Sequence, residues 1–514
     1  MRIRIVGAGA MGRGIAQWAA TAGHTVELCD VRTEAVTAAL DFVRSMLDRA
    51  VQKGRLSAED CAATLERLVP LDDPWADGPD VELVIEAVRE DLGTKAEVFG
   101  RLEQALPASA VFATNTSSLS VTRIAAALKD PTRLAGLHFF NPVPLMKIVE
   151  IVPGSATRPE IPPALTALVE GCGHRAVTVA DTPGFLVNHA GRGLVTEALA
   201  LLEESVADPA GIDRIARDVL GLRMGPFELM DLTGLDVTAA VIDSIWEGFR
   251  YADRLRPSYL TPNRVAAGLH GRKTGHGWFA YGSDAPAAAP EPPVTGDADR
   301  PVHVVGDAAD SGAAALREAL AAAGATVETG TEPSADAVVL VPVWGTTVAA
   351  AVAAYRLPAG RTFGVDPLPP AGRRRVLAVT AAADPAAARD ARAVLARAPE
   401  DDGEPYAVSV VRDTAGSVAQ RLLASIVSVA ASIAERSLAT PADIDLAVTT
   451  GLGYPVGPLA WGDRIGADRM LELHRALHAT TGDPRYRPAR WITERAQLGL
   501  ALTDPGTSPG DCLG

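Results

Sequence analysis

The chain has 514 residues, 48% of them hydrophobic, and a formal net charge of −15. That length is enough for roughly three or four domains of ordinary size. The acidic balance argues against nucleic acid as the main partner, because phosphate binding needs a basic surface. Four scattered cysteines (Cys29, Cys61, Cys172, Cys512) with no C-x-x-C pair suggest neither a metal site nor a disulfide framework, and they fit a reducing cytoplasm. The first strand opens at residue 2 or 3, leaving no room for a signal peptide. No run approaches the ~20 apolar residues that span a bilayer, so no membrane partner is expected.

Met1–Val6 (MRIRIV) has the length and composition of a buried strand, and Gly7-Ala8-Gly9-Ala10-Met11-Gly12 follows it directly. The apolar stretch from Ile15 then opens a helix, and Thr25–Cys29 reads as a second strand ending at Asp30. This is G-x-G-x-x-G in the context that gives it meaning, a Rossmann dinucleotide site. Gly7 permits the tight turn, Gly9 the close approach of a pyrophosphate, and Gly12 the packing of helix on strand. The N-terminus of the helix offers free N–H groups and a partial positive charge to the phosphates. Asp30, about 20 residues on, suits both ribose hydroxyls and favours NAD over NADP, although Arg32 softens that preference.

Residues 33–68 carry helical periodicity, with Gly54 placed to end one helix and Ser57 to cap the next. The spacing predicts a helical hairpin, read either as a packing element or as a flap offering Arg49, Lys53 and Arg55 to an anionic tail. Strands follow over Val81–Ala87, Ala110–Thr114 and Lys147–Val152. Glu90 and Lys95 come after the first of these, and Asn115, Thr116, Ser117 and Ser118 after the second. Ligands gather at that carboxyl edge in open α/β sheets. The sheet therefore presents Ser117, His138, Asn141 and Glu150 together. Taken singly, His138 could be a core residue and Glu150 an ordinary strand acid. Together they supply a base for a hydroxyl proton and a carboxylate to orient it. Asp181-Thr182-Pro183-Gly184 then breaks the chain. A long helix is expected over Leu186–Glu204 with Asn188 in its first turn, further helices run to Tyr281, and Ser283–Asp297 reads as an extended Ala/Pro-rich linker.

The pieces GAGAMGRGIA, NTSSLS, GLHFFNPVPLMKIVE, DTPGFLVN, GPFELMD and GRKTGHGWF, in this order, resemble the L-3-hydroxyacyl-CoA dehydrogenases across residues 1–283. The resemblance implies NAD-dependent, reversible oxidation of an (S)-3-hydroxyacyl-CoA to the 3-oxoacyl-CoA. It implies His138 and Glu150 as the catalytic pair, with Ser117 and Asn188 beside the substrate. Gly7, Gly9, Ala10, Met11, Gly12, Asp30, Glu90, Lys95 and Asn115 fall at cofactor positions, Asn141 near the substrate, and Lys53 on the hairpin that meets CoA. A serine expected earlier on that helix is replaced by Met46. Rival readings are a gulonate-type sugar-acid dehydrogenase on the same fold and a non-catalytic NAD-binding structural protein.

The second half repeats the first. Ile212-Asp213 recurs as Ile444-Asp445, Gly225-Pro226 as Gly457-Pro458, Asp231 as Asp463 and Asp181-Thr182 as Asp413-Thr414, always 232 residues later. Asn188 becomes Gln420. The glycine motif is lost after Gly306 (Asp307-Ala308-Ala309-Asp310), Phe363-Gly364-Val365-Asp366-Pro367 stands in place of HFFNP, and Arg375 replaces the glutamate. The expected architecture is α/β plus all-α. A Rossmann domain with hairpin spans 1–182, a helical domain 183–283, a linker 284–298, a degenerate Rossmann-like segment 299–410, and a second helical copy 411–514. This organisation resembles the longer bacterial members of the family, those of phenylacetate breakdown and 3-hydroxybutyryl-CoA metabolism. There is no room for an enoyl-CoA hydratase domain, so a bifunctional β-oxidation protein is not expected. Members of this family commonly dimerise through the helical domain, which here implies a homodimer or an intramolecular pseudo-dimer.

Overall fold

The structure is a computed structural model describing residues 1–282, 290–306, 311–399 and 403–513. The chain packs into two compact units, Met1–His189 with Arg436–Leu452, and Ala190–Glu435 with Gly453–Gly514.

The first unit is built on strands β1 (Arg2–Val6), β2 (Thr25–Cys29), β3 (Leu68–Leu71), β4 (Leu83–Glu86), β5 (Val111–Thr114), β6 (Leu134–Phe139), β7 (Ile148–Pro153) and β8 (Arg175–Thr178). They form one sheet in the order β3-β2-β1-β4-β5-β6-β7-β8. Every pair is parallel except β6/β7. The order reverses between β1 and β4, the crevice where such sheets take dinucleotides. Helix α1 (Ala10–Thr21) follows β1. The expected hairpin is α2 (Thr33–Gln52) and α3 (Ala58–Glu66). Gly54, at φ +66°, takes the left-handed position past α2, and the Ser57 hydroxyl accepts the Asp60 N–H at 2.9 Å to start α3. Helices α4 (Leu92–Ala105), α5 (Val121–Ala125) and α6 (Ile161–Gly171) complete the layers. The Asp181 carboxylate caps α5, accepting from Val121 N (3.0 Å) and Thr122 N (2.8 Å).

The single helix expected over Leu186–Glu204 is two, α7 (Val187–Ala190) and α8 (Arg192–Glu203), on either side of Gly191. The first turn is wound off Phe185 at φ +49° and Gly184 at φ +73°. There the Leu186 and Val187 N–H groups turn to a carboxylate on β7, and this sets α7 apart from the rod that follows.

In the second unit, α8 is followed by α9 (Pro209–Asp218), α10 (Pro226–Thr233), α11 (Leu235–Gly248) and α12 (Leu260–Ala266). A five-stranded sheet comes next, with β9 (Val302–Val304), β10 (Val338–Pro342), β11 (Thr362–Val365), β12 (Arg374–Val379) and β13 (Ala407–Arg412) in the order β13-β12-β11-β10-β9. Helices α13 (Ser311–Ala322), α14 (Val348–Tyr355) and α15 (Pro385–Ala396) accompany it. Only β11/β12 is antiparallel, as β6/β7 is in the first sheet. Asp413 caps α14 through Val348 N (2.8 Å) and Ala349 N (3.0 Å), as Asp181 caps α5. Helix α16 (Ser417–Glu435) precedes α17 (Pro441–Gly451), which belongs to the first unit, and α18 (Pro458–Ile465), α19 (Ala467–Thr481) and α20 (Arg490–Leu498) complete the chain.

The 232-residue period extends to the backbone. Phe185 and Ser417 share φ +49°, Ser205 and Ser437 have +55° and +53°, and Gly234 and Gly466 have +93° and +102°. Helices α8 and α16 cross at the repeat's own counterparts. A Cβ on Gly193 would lie 2.8 Å from the Ser425 carbonyl oxygen, and Ser425 is the residue 232 positions later. Only glycine allows the two backbones that close.

One expectation is corrected, that no run approaches the length of a membrane span. By length and composition α16 could cross a membrane, but 94% of that stretch is buried inside the protein, so its apolar surface is used in packing. The described part of the linker, residues 290–297, has no helix or strand and is mostly exposed, and it is also anchored by side chains. Residues 283–289 lie outside the described residues, but from Pro290 onward the segment is tied down. Glu291 pairs with Arg374 and, at 3.4 Å, with Arg214, and the carbonyls of Pro292 and Pro293 accept from Arg392.

Beside the crossing of α8 and α16 lies a buried ionic cluster. Glu197 and Arg421 have fully buried side chains. Glu197 accepts from Arg421 Nε at 2.6 Å, Tyr486 Oη at 2.7 Å and Arg485 Nη1 at 3.3 Å, and Arg421 also reaches Glu204 at 2.8 Å. Burial pushes the Glu197 carboxyl up, and the two guanidiniums and the tyrosine hydroxyl more than reverse this, leaving it below its ordinary value. Its stabilisation is therefore complete above about pH 4.3 and is lost as pH falls through the depressed folded-state value. Removing one member strands buried charge at a cost of about 3–5 kcal/mol. Glu197→Gln should lower the calorimetric unfolding midpoint of the full chain and flatten its dependence on acid pH; an unchanged midpoint would show the cluster to be neutral.

Candidate active site

The carboxyl edge of the first sheet carries two linked sets of polar groups. The first set surrounds the glycine turn. Gly7 has φ +108°, and a Cβ there would lie 2.5 Å from the Ala87 carbonyl oxygen. A Cβ on Gly12 would lie 1.7 Å from the Gly7 carbonyl oxygen, whereas one on Gly9 meets nothing within 4 Å. Gly7 and Gly12 thus make the fold, and Gly9 leaves room for something else. Gly9 and Ala10 are exposed, Met11 is half-buried, and no side chain caps α1. Its first N–H groups face outward at the positive end of the helix dipole. Asp30 accepts from Ala8 N (2.9 Å) and Arg32 N (3.0 Å), which holds a carboxylate at the end of β2. A carboxylate has acceptor capacity beyond those two bonds. An exposed cradle, free amides and a fixed acid fit a dinucleotide.

Glu90 organises the loop after β5. Its Oε1 accepts from Thr116 Oγ1 (2.7 Å), Ser117 N (2.8 Å), Ser118 N (2.9 Å), Ser118 Oγ (2.9 Å) and Ser117 Oγ (3.3 Å), and its Oε2 lies 3.3 Å from Lys95 Nζ. Burial raises this carboxyl, and the hydrogen bonds and the Lys95 charge outweigh it, holding Glu90 at about 2. Lys95, expected among the cofactor positions, is a buried cation, 1% exposed, with Nζ 2.6 Å from Glu86 Oε1. It steadies Glu90 from beneath. Glu86 also accepts from Thr114 Oγ1 and Val88 N. Sequence reasoning missed Glu86; the available signal was an acid closing an otherwise apolar strand, LVIE. Asn115 lends its Oδ1 to Phe139 N at 2.8 Å, joining the ends of β5 and β6.

The second set is the pair on β6 and β7. The antiparallel register places His138 opposite Glu150. Nδ1 of the ring is 2.6 Å from Glu150 Oε2, and both side chains are buried. The other oxygen, Oε1, accepts from Leu186 N (2.9 Å) and Val187 N (2.7 Å). Glu150 thus serves as the N-terminal anion of α7, satisfying amides that have no partner within the helix. Asn188, half-buried, is the residue after Val187 in the turn that this carboxylate caps. Phe140 and Phe185 pack on the imidazole with ring centroids 4.5 and 5.7 Å away. Ser117 is exposed on the loop after β5. Asn141 is exposed after β6, and Lys53 is exposed at the end of α2. In the second sheet the antiparallel register pairs Val365 with Leu377, so Arg375 does not stand opposite Phe363 and is not the counterpart of Glu150. Arg375 stacks on Tyr406 (4.0 Å), and Gln420 bonds Gly345 N, Val343 O and Asp366.

Comparison with known proteins identifies the family. Residues 2–182 match the family described as 3-hydroxyacyl-CoA dehydrogenase, NAD binding domain. Residues 184–281 and again 416–506 match the 3-hydroxyacyl-CoA dehydrogenase C-terminal domain. The chain is 37% identical to the 3-hydroxyadipyl-CoA dehydrogenase of Escherichia coli K12, over 96% of this chain and 97% of that one. It is 37% identical to a probable 3-hydroxybutyryl-CoA dehydrogenase of Bacillus subtilis, over 54% of this chain and 97% of that one. The crystal structure of 3-hydroxybutyryl-CoA dehydrogenase from E. coli K12 superposes with a TM-score of 0.83 at 35% identity, covering 97% of this chain and 98% of the other. The chain belongs to the 3-hydroxyacyl-CoA dehydrogenase family.

Proposed function

We propose that this protein catalyses the reversible, NAD-dependent oxidation of an (S)-3-hydroxyacyl-CoA to the 3-oxoacyl-CoA. The observation that carries the reading is the buried His138–Glu150 pair, with Glu150 anchored on α7. With Nδ1 turned to the carboxylate, Nε2 is the ring nitrogen left to take the hydroxyl proton. Glu150 holds that tautomer and stabilises the imidazolium once the proton arrives. NAD supplies the acceptor for the hydride of C3. Gly9, Ala10, Met11 and the amino end of α1 hold its pyrophosphate, and Asp30 its ribose hydroxyls. Glu90 and Asn115 shape the loop beside it, with Lys95 supporting Glu90. Ser117 and Asn188 hold the reacting oxygen and the thioester end, Asn141 lies on the substrate side, and Lys53 serves the CoA tail. Relatives named for 3-hydroxyadipyl-CoA and 3-hydroxybutyryl-CoA support a short acyl group, with or without a second carboxylate. All four cysteines are free, which suits the cytoplasm. The crossing of α8 and α16 within one chain favours the pseudo-dimer over a homodimer.

Replacing the base tests this directly. His138→Gln should lower kcat by about 10²–10⁴-fold while NADH affinity stays within about twofold; surviving turnover would remove His138 from the reaction. Gly12→Ala should have the opposite signature. Its methyl would collide with the Gly7 carbonyl and deform the turn, so NADH binding measured by fluorescence titration should weaken by about tenfold or more.

A further inference from the structure

The second half has a motif-free sheet and no catalytic pair, yet part of it lies in the unit that holds the working site. Residues 436–452, at the heart of the second helical repeat, pack with the NAD-binding sheet. The Leu438 carbonyl accepts the Ala180 N–H at 2.9 Å, just before the Asp181–Phe185 break. At the other end of the segment, α17 finishes at Gly451. A Cβ built on Gly451 would lie 3.1 and 3.2 Å from the two γ-methyls of Val187 and 3.6 Å from Cγ2 of Ile148. Both neighbours bear on Glu150. Val187 donates its N–H to Glu150 Oε1 at 2.7 Å. Ile148 is two residues from Glu150 on β7 and therefore on the same face of the strand. Val187 is 1% exposed and Ile148 fully buried, so neither has open space to retreat into.

The sequence itself varies this position. In the other copy, 232 residues away, the sizes are reversed, with Val219 for Gly451 and Ala419 for Val187. The small residue sits on the docking helix only where the sheet beneath carries the histidine–glutamate pair.

We propose that Gly451 is a positioning residue for the reaction. The catalytically silent half supplies a seat for Val187, and through it fixes the amide that holds Glu150 and the start of the turn that carries Asn188. The inference rests on reading His138 and Glu150 as the working pair. It gives the second half a part in the chemistry of the first.

The test uses the full chain. Gly451→Val should push Val187 off its seat. Its kcat with acetoacetyl-CoA should fall by about tenfold or more, since misplacement by about 1 Å is that costly, while KM and NADH affinity stay within about threefold. Hydrogen exchange at the peptide containing Leu186 and Val187 should quicken. Adding Val187→Ala, which recreates the Val/Ala combination of the other copy, should bring kcat and exchange back to within about threefold of the starting protein. Should the valine variant not fold, Gly451→Ala and the double variant decide: the alanine protein should lose several-fold in kcat and show faster exchange, and the double variant should be near normal. Normal kcat and exchange in the folded single variants would overturn the proposal. So would a double variant no better than Gly451→Val alone, or a loss of kcat matched by an equal loss of NADH binding. If the unmodified protein turned over no acyl-CoA, the functional reading would fail, while the exchange measurement would still report whether Gly451 seats Val187.

Discussion

The two oxygens of Glu150 face different parts of the fold. One meets the imidazole of His138 at 2.6 Å, and the other meets two amides at the start of α7. Removing either set of donors would leave buried negative charge short of partners, which a protein interior tolerates poorly. The positions of β6, β7 and the turn after β8 are therefore mutually constrained through one side chain. Asn188 lies in the helix that this carboxylate caps, one residue after Val187.

The cofactor edge works by a similar economy of charge. Two acids share one buried lysine, and the outer acid, Glu90, orders the Thr116–Ser118 loop. The Thr116 hydroxyl, the lysine beneath and the loop's own amides together hold Glu90 ionised. Ser117 is thereby presented at the carboxyl edge of β5, one strand from His138, with its hydroxyl already hydrogen-bonded. The loop is thus ordered before anything binds at it, which lowers the cost of binding there.

Much of this was legible in the sequence. The glycine turn, Asp30, the histidine–glutamate spacing across β6 and β7 and the 232-residue period depend on local geometry or on repetition, and both leave marks along a chain. The break at Gly191, the Glu86–Lys95 pair and the Glu197–Arg421 cluster were not legible. The last joins residues 224 positions apart, and nothing in either neighbourhood names the other. Lys95 shows the same limit at short range, since a lysine on a helix looks solvated until the burial around it is known. The docking of α17 on the catalytic sheet was equally hidden: the repeat announced a second helical domain, but not where its helices would pack.

The central claim is that this site moves a hydride between NAD and the C3 carbon of a CoA thioester. The most direct measurement is oxidation of NADH by acetoacetyl-CoA with the full chain, run beside NADPH and beside free acetoacetate. Rapid turnover with NADH and the thioester, and little with NADPH or the free acid, is the predicted result. Equal turnover of the free acid, or none of the thioester and of longer 3-oxoacyl-CoAs while NADH still binds, would contradict it.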